Sequence, residues 1–268
     1  MPIANQVILI TMNLKDNIIL IDKPIGWTSF DVVAKIRGRI RTEYTVRGEK
    51  PTKRQLRVGH AGTLDPFATG LVIILIGEAC KQAGDFLKLD KTYEFTAKLG
   101  EISTTGDPEG KITSYVAKSK KQIANSSSVI PAQAGTRSPV KADIGTLTIP
   151  TEKAVLETLR QFEGVISQVP PVFSAIKING QRAYKLAREG KEVIIPPRNV
   201  TIYKIELVEY NYPYLKCVCD VSSGTYIRTL VQDIGEKLKT GAYCEELRRT
   251  KINNYEIKDA KQVEDIVN

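Results

Sequence analysis

The segment Gly59-His60-Ala61-Gly62-Thr63-Leu64-Asp65-Pro66-Phe67-Ala68-Thr69-Gly70 runs straight into the apolar sequence Leu71-Val72-Ile73-Ile74-Leu75-Ile76, and nothing else in the chain constrains folding as strongly. Its glycines and Pro66 argue against a regular helix or strand over residues 59–66, so the segment reads as a shaped loop that feeds a buried strand. Loops held on rigid elements are where reacting groups concentrate. Asp65 has two readings on spacing alone: a turn cap before Pro66, or a carboxylate presented for chemistry.

On either side the chain punctuates itself clearly. Residues 18–21 read as a short buried strand, stopped by Asp22-Lys23-Pro24 and Gly26. Thr28 and Asp31 have capping-box spacing, and Val32, Val33, Ile36 and Ile40 fall on one face of the helix that follows. Residues 92–99 alternate as a strand and residues 106–110 close it with a turn. Residues 114–150 are rich in small and polar types, and we expect an exposed, mobile insert. A helix is predicted over residues 151–164, with Val155, Leu159 and Phe162 inward and Gly164 as its stop. After the proline-bearing loop 168–174, residues 201–209 and 214–221 read as strands. A last helix spans residues 226–239, with Leu230, Val231, Ile234 and Leu238 inward.

Charge suggests the kind of partner. Lysine and arginine number 39 against 30 acidic residues, a net charge of +9 with pI near 9.2, which favours a polyanion. Residues 35–57 concentrate that excess in Lys35, Arg37, Arg39, Arg41, Arg47, Lys50, Lys53, Arg54 and Arg57. A solvated face and a phosphate-tracking surface both fit this pattern. Cys80, Cys217, Cys219 and Cys244 read as reduced thiols; Cys217 and Cys219 share one strand face and suit a core. With one histidine and no repeated ligand spacing, no metal site is expected. No apolar run is long enough to cross a bilayer and the start does not read as a signal peptide, so we expect a soluble, cytoplasmic protein. The glycines match neither a phosphate loop nor a dinucleotide fingerprint, and His60 has no spacing that demands a hydrolase triad.

Seven segments occur in a telling order. They are Lys23-Pro24 with Gly26-Trp27-Thr28-Ser29; the segment from Gly59 to Gly70; Lys91-Thr92-Tyr93; and Val169-Pro170-Pro171 with Ser174-Ala175 and Lys177. Then come Tyr184 with Ala187-Arg188-Glu189-Gly190, Gly224-Thr225-Tyr226-Ile227-Arg228, and Leu247-Arg248-Arg249-Thr250. Together they resemble the TruB family of tRNA pseudouridine synthases over residues 17–255, apart from the insert. The resemblance implies an α+β pseudouridine synthase fold, a mixed, mainly antiparallel central sheet with flanking helices and an RNA-binding cleft. Residues 1–16 are then a variable leader and 256–268 a short tail, a form lacking the family's C-terminal RNA-binding domain. Recognition is therefore expected to rest on the cleft and on the basic surface of residues 35–57.

The resemblance also implies roles. Asp65 matches the catalytic aspartate, Tyr93 the tyrosine packed on the target base, and Arg228 the arginine paired with that aspartate. His60, Tyr226, Leu247 and Lys23 fall at substrate-binding positions, while it is the charge pattern of residues 35–57 that offers Arg37, Arg41 and Arg57 for a phosphate surface. The reaction would be isomerisation of uridine to pseudouridine at position 55, in the T-arm of tRNA. It breaks the N1–C1′ bond and joins C5 to C1′ with no net redox change and no water consumed, so no cofactor or metal is expected. An ionised carboxylate serves either as nucleophile at C1′ or as base at C2′, and a nearby guanidinium would keep it charged. The expected partner is tRNA, with no membrane, no required protein partner and a monomeric state. The competing reading is a non-catalytic RNA-binding or RNA-folding module of the same fold. Ser103-Thr104 and Asn253-Asn254 depart from the common family pattern, and residues 42–53 and the insert are read as lengthened loops.

Overall fold

The computed structural model describes residues 18–115, 148–174, 176–178, 180–190 and 193–267. The leader 1–16 and most of the insert, residues 116–147, lie outside the described residues. Along the chain come β1 (Ile18–Lys23), α1 (Ser29–Val46), β2 (Val58–Ala61), β3 (Thr69–Ile76), α2 (Ala83–Leu87), β4 (Lys91–Leu99), β5 (Glu101–Ser103) and β6 (Ile112–Ser114). They are followed by α3 (Glu152–Arg160), β7 (Gly164–Gln168), β8 (Lys177–Ile178), β9 (Gln181–Arg182), α4 (Ala183–Arg188), β10 (Arg198–Asn211) and β11 (Tyr214–Val221). The chain closes with α5 (Ile227–Lys237), β12 (Ala242–Ile252), β13 (Tyr255–Glu256), β14 (Lys261–Gln262) and α6 (Val263–Val267). They form two compact units: residues 1–89 with 249–268, and residues 90–248.

In the first unit the strand order is β14-β1-β3-β12, with β2 added to β3 and β13 to β12. β1 pairs β14 in parallel and β3 antiparallel, so the sheet is mixed as expected. Leu71, Ile73 and Leu75 of β3 join Ala61, Ala79, Phe86 and Ile252 in one core cluster, while Val72, Ile74 and Ile76 between them are equally buried. That explains the unbroken apolar run: β3 is covered on both faces. The capping box forms, Thr28 Oγ1 accepting from the Asp31 amide at 3.1 Å and Asp31 Oδ2 from the Thr28 amide at 2.8 Å. The Thr28 hydroxyl also donates to Asp31 Oδ2 at 2.7 Å, and this bond, followed by the one from the Thr28 amide, lowers the Asp31 carboxyl from its ordinary value.

Some expectations change in this unit. Residues 58–61 are a strand rather than part of the loop, because antiparallel pairing with β3 satisfies their backbone and Gly59 takes an ordinary strand conformation. The loop proper begins at Gly62. The stretch 42–53 is helical as far as Val46, since Tyr44, four residues after Ile40, extends the buried stripe of α1 by a turn. Residues 256–268 contribute β14 beside β1 and α6 against α1.

In the second unit β12 is followed in strand order by β4-β11-β10-β7, and the pairs of β4 with β11, β11 with β10 and β10 with β7 are antiparallel. β11 alternates cleanly, with Leu215, Cys217, Cys219 and Val221 inward; all four cysteines are free, and burial pushes the Cys217 thiol up to about 12. α3 and α5 pack on this sheet. α3 stops at Arg160, earlier than expected, because Gly164 at φ +101° opens β7 instead of ending the helix. β7 is an edge strand with mostly exposed residues, so no alternating pattern announced it. No described helix is long and apolar enough to cross a membrane.

Candidate active site

Asp65 sits half-buried in the loop between β2 and β3, with Leu64, Phe67 and Ala68 beside it turned into the core. Its carbonyl closes a turn with the Ala68 amide at 3.1 Å. The loop is then fastened at three places by buried polar side chains. Ser29, the first residue of α1, accepts from the Leu64 amide at 2.9 Å and donates to the Leu64 carbonyl at 3.4 Å. Lys23, at the end of β1 and fully buried, donates to the carbonyls of Pro24 at 2.9 Å, Trp27 at 2.6 Å and Pro66 at 3.4 Å. Arg249 donates through Nε to the Leu71 carbonyl at 2.7 Å and through Nη2 to the Gly62 carbonyl at 3.1 Å, spanning both ends of the loop.

Glycine makes these approaches possible at two positions. A Cβ on Gly70, at φ +109°, would lie 2.3 Å from the Arg249 carbonyl oxygen, so only glycine lets the two backbones meet. Gly26, at φ +79°, turns its amide to the Pro66 carbonyl at 2.8 Å. A carboxylate held this way keeps its position without rearranging when substrate arrives, which is what a reacting group needs.

The other expected residues of this unit divide. His60 on β2 stands edge-on to Phe30, ring centroids 5.2 Å apart. Arg41 and Arg57 are exposed, as a phosphate surface requires. Arg37 is half-buried and donates to the carbonyls of Leu56 at 3.2 Å and Val58 at 3.1 Å, so it ties α1 to the chain entering β2. Lys23 likewise donates to backbone carbonyls, three of them, and these bonds shape the loop.

The second unit carries the remaining residues. Tyr93 is buried on β4, opposite Cys219 of β11. Leu247 is buried on β12, and Tyr226 caps α5 half-exposed. The buried amide of Gln168 fixes Tyr226, accepting from its backbone amide at 2.8 Å and donating to its carbonyl at 3.1 Å. Arg228 is buried and makes an ion pair with Asp107 at 3.0 Å, and it donates to the carbonyls of Thr105 at 2.8 Å and Phe173 at 2.9 Å. Asp107 is itself held by the Thr105 hydroxyl at 2.5 Å and the Glu109 amide at 3.0 Å.

Three residues with no role assigned from sequence therefore shape these surroundings. Ser29 and Arg249 lie inside the motif segments, which was the available signal; Asp107 lay hidden in a stretch that reads only as a turn. Among the described residues no cluster of histidine, cysteine or carboxylate side chains could hold a metal ion.

Known proteins resemble the chain over most of its length. Residues 50–142 and 138–227 match the N-terminal domain of TruB family pseudouridylate synthases, and residues 228–268 match the C-terminal domain of tRNA pseudouridylate synthase B. The tRNA pseudouridine synthase B of Endomicrobium trichonymphae is 39% identical over 250 residues, covering 93% of this chain and 90% of that protein. Its counterpart in Aquifex aeolicus is 37% identical over 254 residues, covering 94% of this chain and 74% of the other. Among solved structures, a chain of a Cbf5-Nop10-Gar1 complex shares the fold, with a TM-score of 0.62 and 24% identity over 95% of this chain and 54% of that one. With matched domains running from residue 50 to the end and relatives aligned over nearly all of the chain, this protein belongs to the TruB family of pseudouridylate synthases.

Proposed function

We propose that this protein isomerises uridine to pseudouridine in tRNA, at position 55 of the T-arm, with Asp65 as the reacting carboxylate. The observation that carries the reading is the fastening of the Asp65 loop by Lys23, Ser29 and Arg249, all three buried. A loop that only turned the chain would have no need of a lysine and an arginine taken out of water, since burying charge is costly unless it is fully hydrogen-bonded. During the reaction the glycosidic N1–C1′ bond breaks, the base turns, C5 bonds to C1′, and the proton leaving C5 is balanced by one gained at N1. Asp65 serves this chemistry as nucleophile at C1′ or as base at C2′. Tyr93 acts against the base and Arg228 in the electrostatics of the carboxylate, roles supported by the resemblance of their motifs. Tyr226, Leu247 and His60 contribute to substrate binding.

The test is Asp65→Asn, which keeps shape and removes charge. Pseudouridine mapping of tRNA treated with the purified variant is expected to show turnover lowered by several orders of magnitude, because losing a reacting carboxylate raises the barrier by several kcal/mol. RNA binding persists. Turnover near the wild-type rate would defeat the assignment. Wild-type protein that binds tRNA and forms no pseudouridine would point to the RNA-binding module instead, and release of free uracil to a glycosidase.

A further inference from the structure

Phe30, the second residue of α1, is 70% exposed. Single exposed phenylalanines are common and mean little; its surroundings are what distinguish it. Its ring meets His60 of β2 edge to face, with an interplanar angle of 87°. Further along the helix, Arg37 is hydrogen-bonded to the carbonyls of Leu56 and Val58. Residues 30, 34, 37 and 41 stand at i, i+4, i+7 and i+11, which places them on one stripe of the helix. Two of the four, Phe30 and Arg37, are docked on β2 or the residues leading into it. The seam is thus fixed at two points. An aromatic pair marks one end, Arg41 lies exposed farther along, and Ala34 between them is small and exposed. Arg57, also exposed, adjoins Val58 on the strand side.

We infer that this seam is an RNA-binding strip in which Phe30, together with His60, stacks on an unpaired nucleobase of the RNA loop while Arg41 and Arg57 meet its phosphates. The inference rests on the tRNA reading above and adds Phe30 to it. RNA loops offer unstacked bases, and an aromatic face accepts any base because every base has a π-face. The fixed ring pair loses little freedom when a base arrives. The alternation of ring and guanidinium matches the base-and-phosphate chemistry of a single strand.

An isolated T-arm hairpin, titrated against the full chain, decides the matter. Phe30→Leu keeps apolar bulk and removes the ring, and it is expected to raise Kd about tenfold, roughly 1.4 kcal/mol. Phe30→Tyr keeps the ring and should bind within about twofold of wild type. Val46→Ala, at the far end of α1 and also 70% exposed, is the surface control and should change nothing. With 2-aminopurine placed in turn at each unpaired loop position, one position should be quenched by wild type and by Phe30→Tyr but not by Phe30→Leu. Wild-type affinity in Phe30→Leu, or an equal loss in Val46→Ala, would overturn the strip. Because binding is read apart from turnover, a protein that loses affinity on Phe30→Leu yet forms no pseudouridine keeps the strip and loses the catalytic reading. Pseudouridine formation with unchanged binding does the reverse.

Discussion

Arg249 illustrates how one residue can matter without being positioned to react. Its side chain is 1% exposed, and its guanidinium joins the carbonyls at Gly62 and Leu71 on either side of Asp65. Arg249→Met would fill similar space and leave both carbonyls short of a donor. We expect it to destabilise the fold by about 3–6 kcal/mol, the scale of two charge-assisted hydrogen bonds lost from the interior. Turnover should fall more than RNA affinity, because the loop that carries the carboxylate would loosen. Urea unfolding and single-turnover kinetics check both, and a loss below about 1 kcal/mol would mean that Ser29 and Lys23 suffice to hold the loop. The proposed function gives Arg228 a part in the electrostatics of the reacting carboxylate. Within its own unit it is held by Asp107, whose carboxylate is satisfied in turn by Thr105 and Glu109. Asp107→Asn should therefore lower kcat with little change in Kd for the T-arm hairpin, whereas a variant indistinguishable from wild type would show that the ion pair has no part in turnover.

Helix α5 carries a different charge problem. Asp233 lies in its second half, partly buried, and burial followed by Glu236 one turn on pushes its carboxyl from the ordinary 3.8 up to about 6. The folded chain therefore keeps this proton at pH values where the unfolded chain has released it. Below the ordinary value both states hold the proton and the group has no effect. Above about 6 both are ionised and the fold carries the full penalty of a poorly solvated carboxylate. Asp233→Asn should stabilise the protein by about 1 kcal/mol near neutral pH, after allowing for solvent screening of a side chain still in contact with water. The gain should fade as pH falls from about 6 towards 4. Melting curves across that range check the sign, and a gain that grew towards acid would refute it.

For the whole molecule, the net charge of +9 favours a polyanion, and the number of phosphates neutralised at the contact sets how affinity responds to salt. Each phosphate neutralised contributes about 0.7 to 0.9 to the log–log slope of affinity against salt, depending on whether the strand is single or paired. Replacing Arg41 and Arg57 together with glutamine should lower that slope for a T-arm hairpin by about 1.4 to 1.8. Arg37→Gln should act differently, lowering thermal stability through the lost carbonyl contacts more than it changes the salt slope. A slope unchanged in the double variant would remove both arginines from the phosphate surface.

The sequence by itself determined the features that depend on near neighbours or on periodicity. The Thr28–Asp31 capping box closes over three residues. The alternation of β11 and the buried stripe of α1 follow from the repeat of strand and helix, and the ordered motifs located Asp65. Lys23 finds two of its acceptors one and four residues away, but the tertiary structure alone decided where Arg37 and Arg249 spend their charge. Their acceptors are backbone carbonyls, for Arg249 at separations of 178 and 187 residues. Every residue carries a carbonyl, so no side-chain type in the sequence can mark the chosen partner. The same reason hid β2: Val58 to Ala61, next to a glycine-rich loop, form a strand only because β3 supplies the hydrogen bonds. It hid Asp107 as well, whose arginine lies 121 residues away and meets it only once the fold has formed.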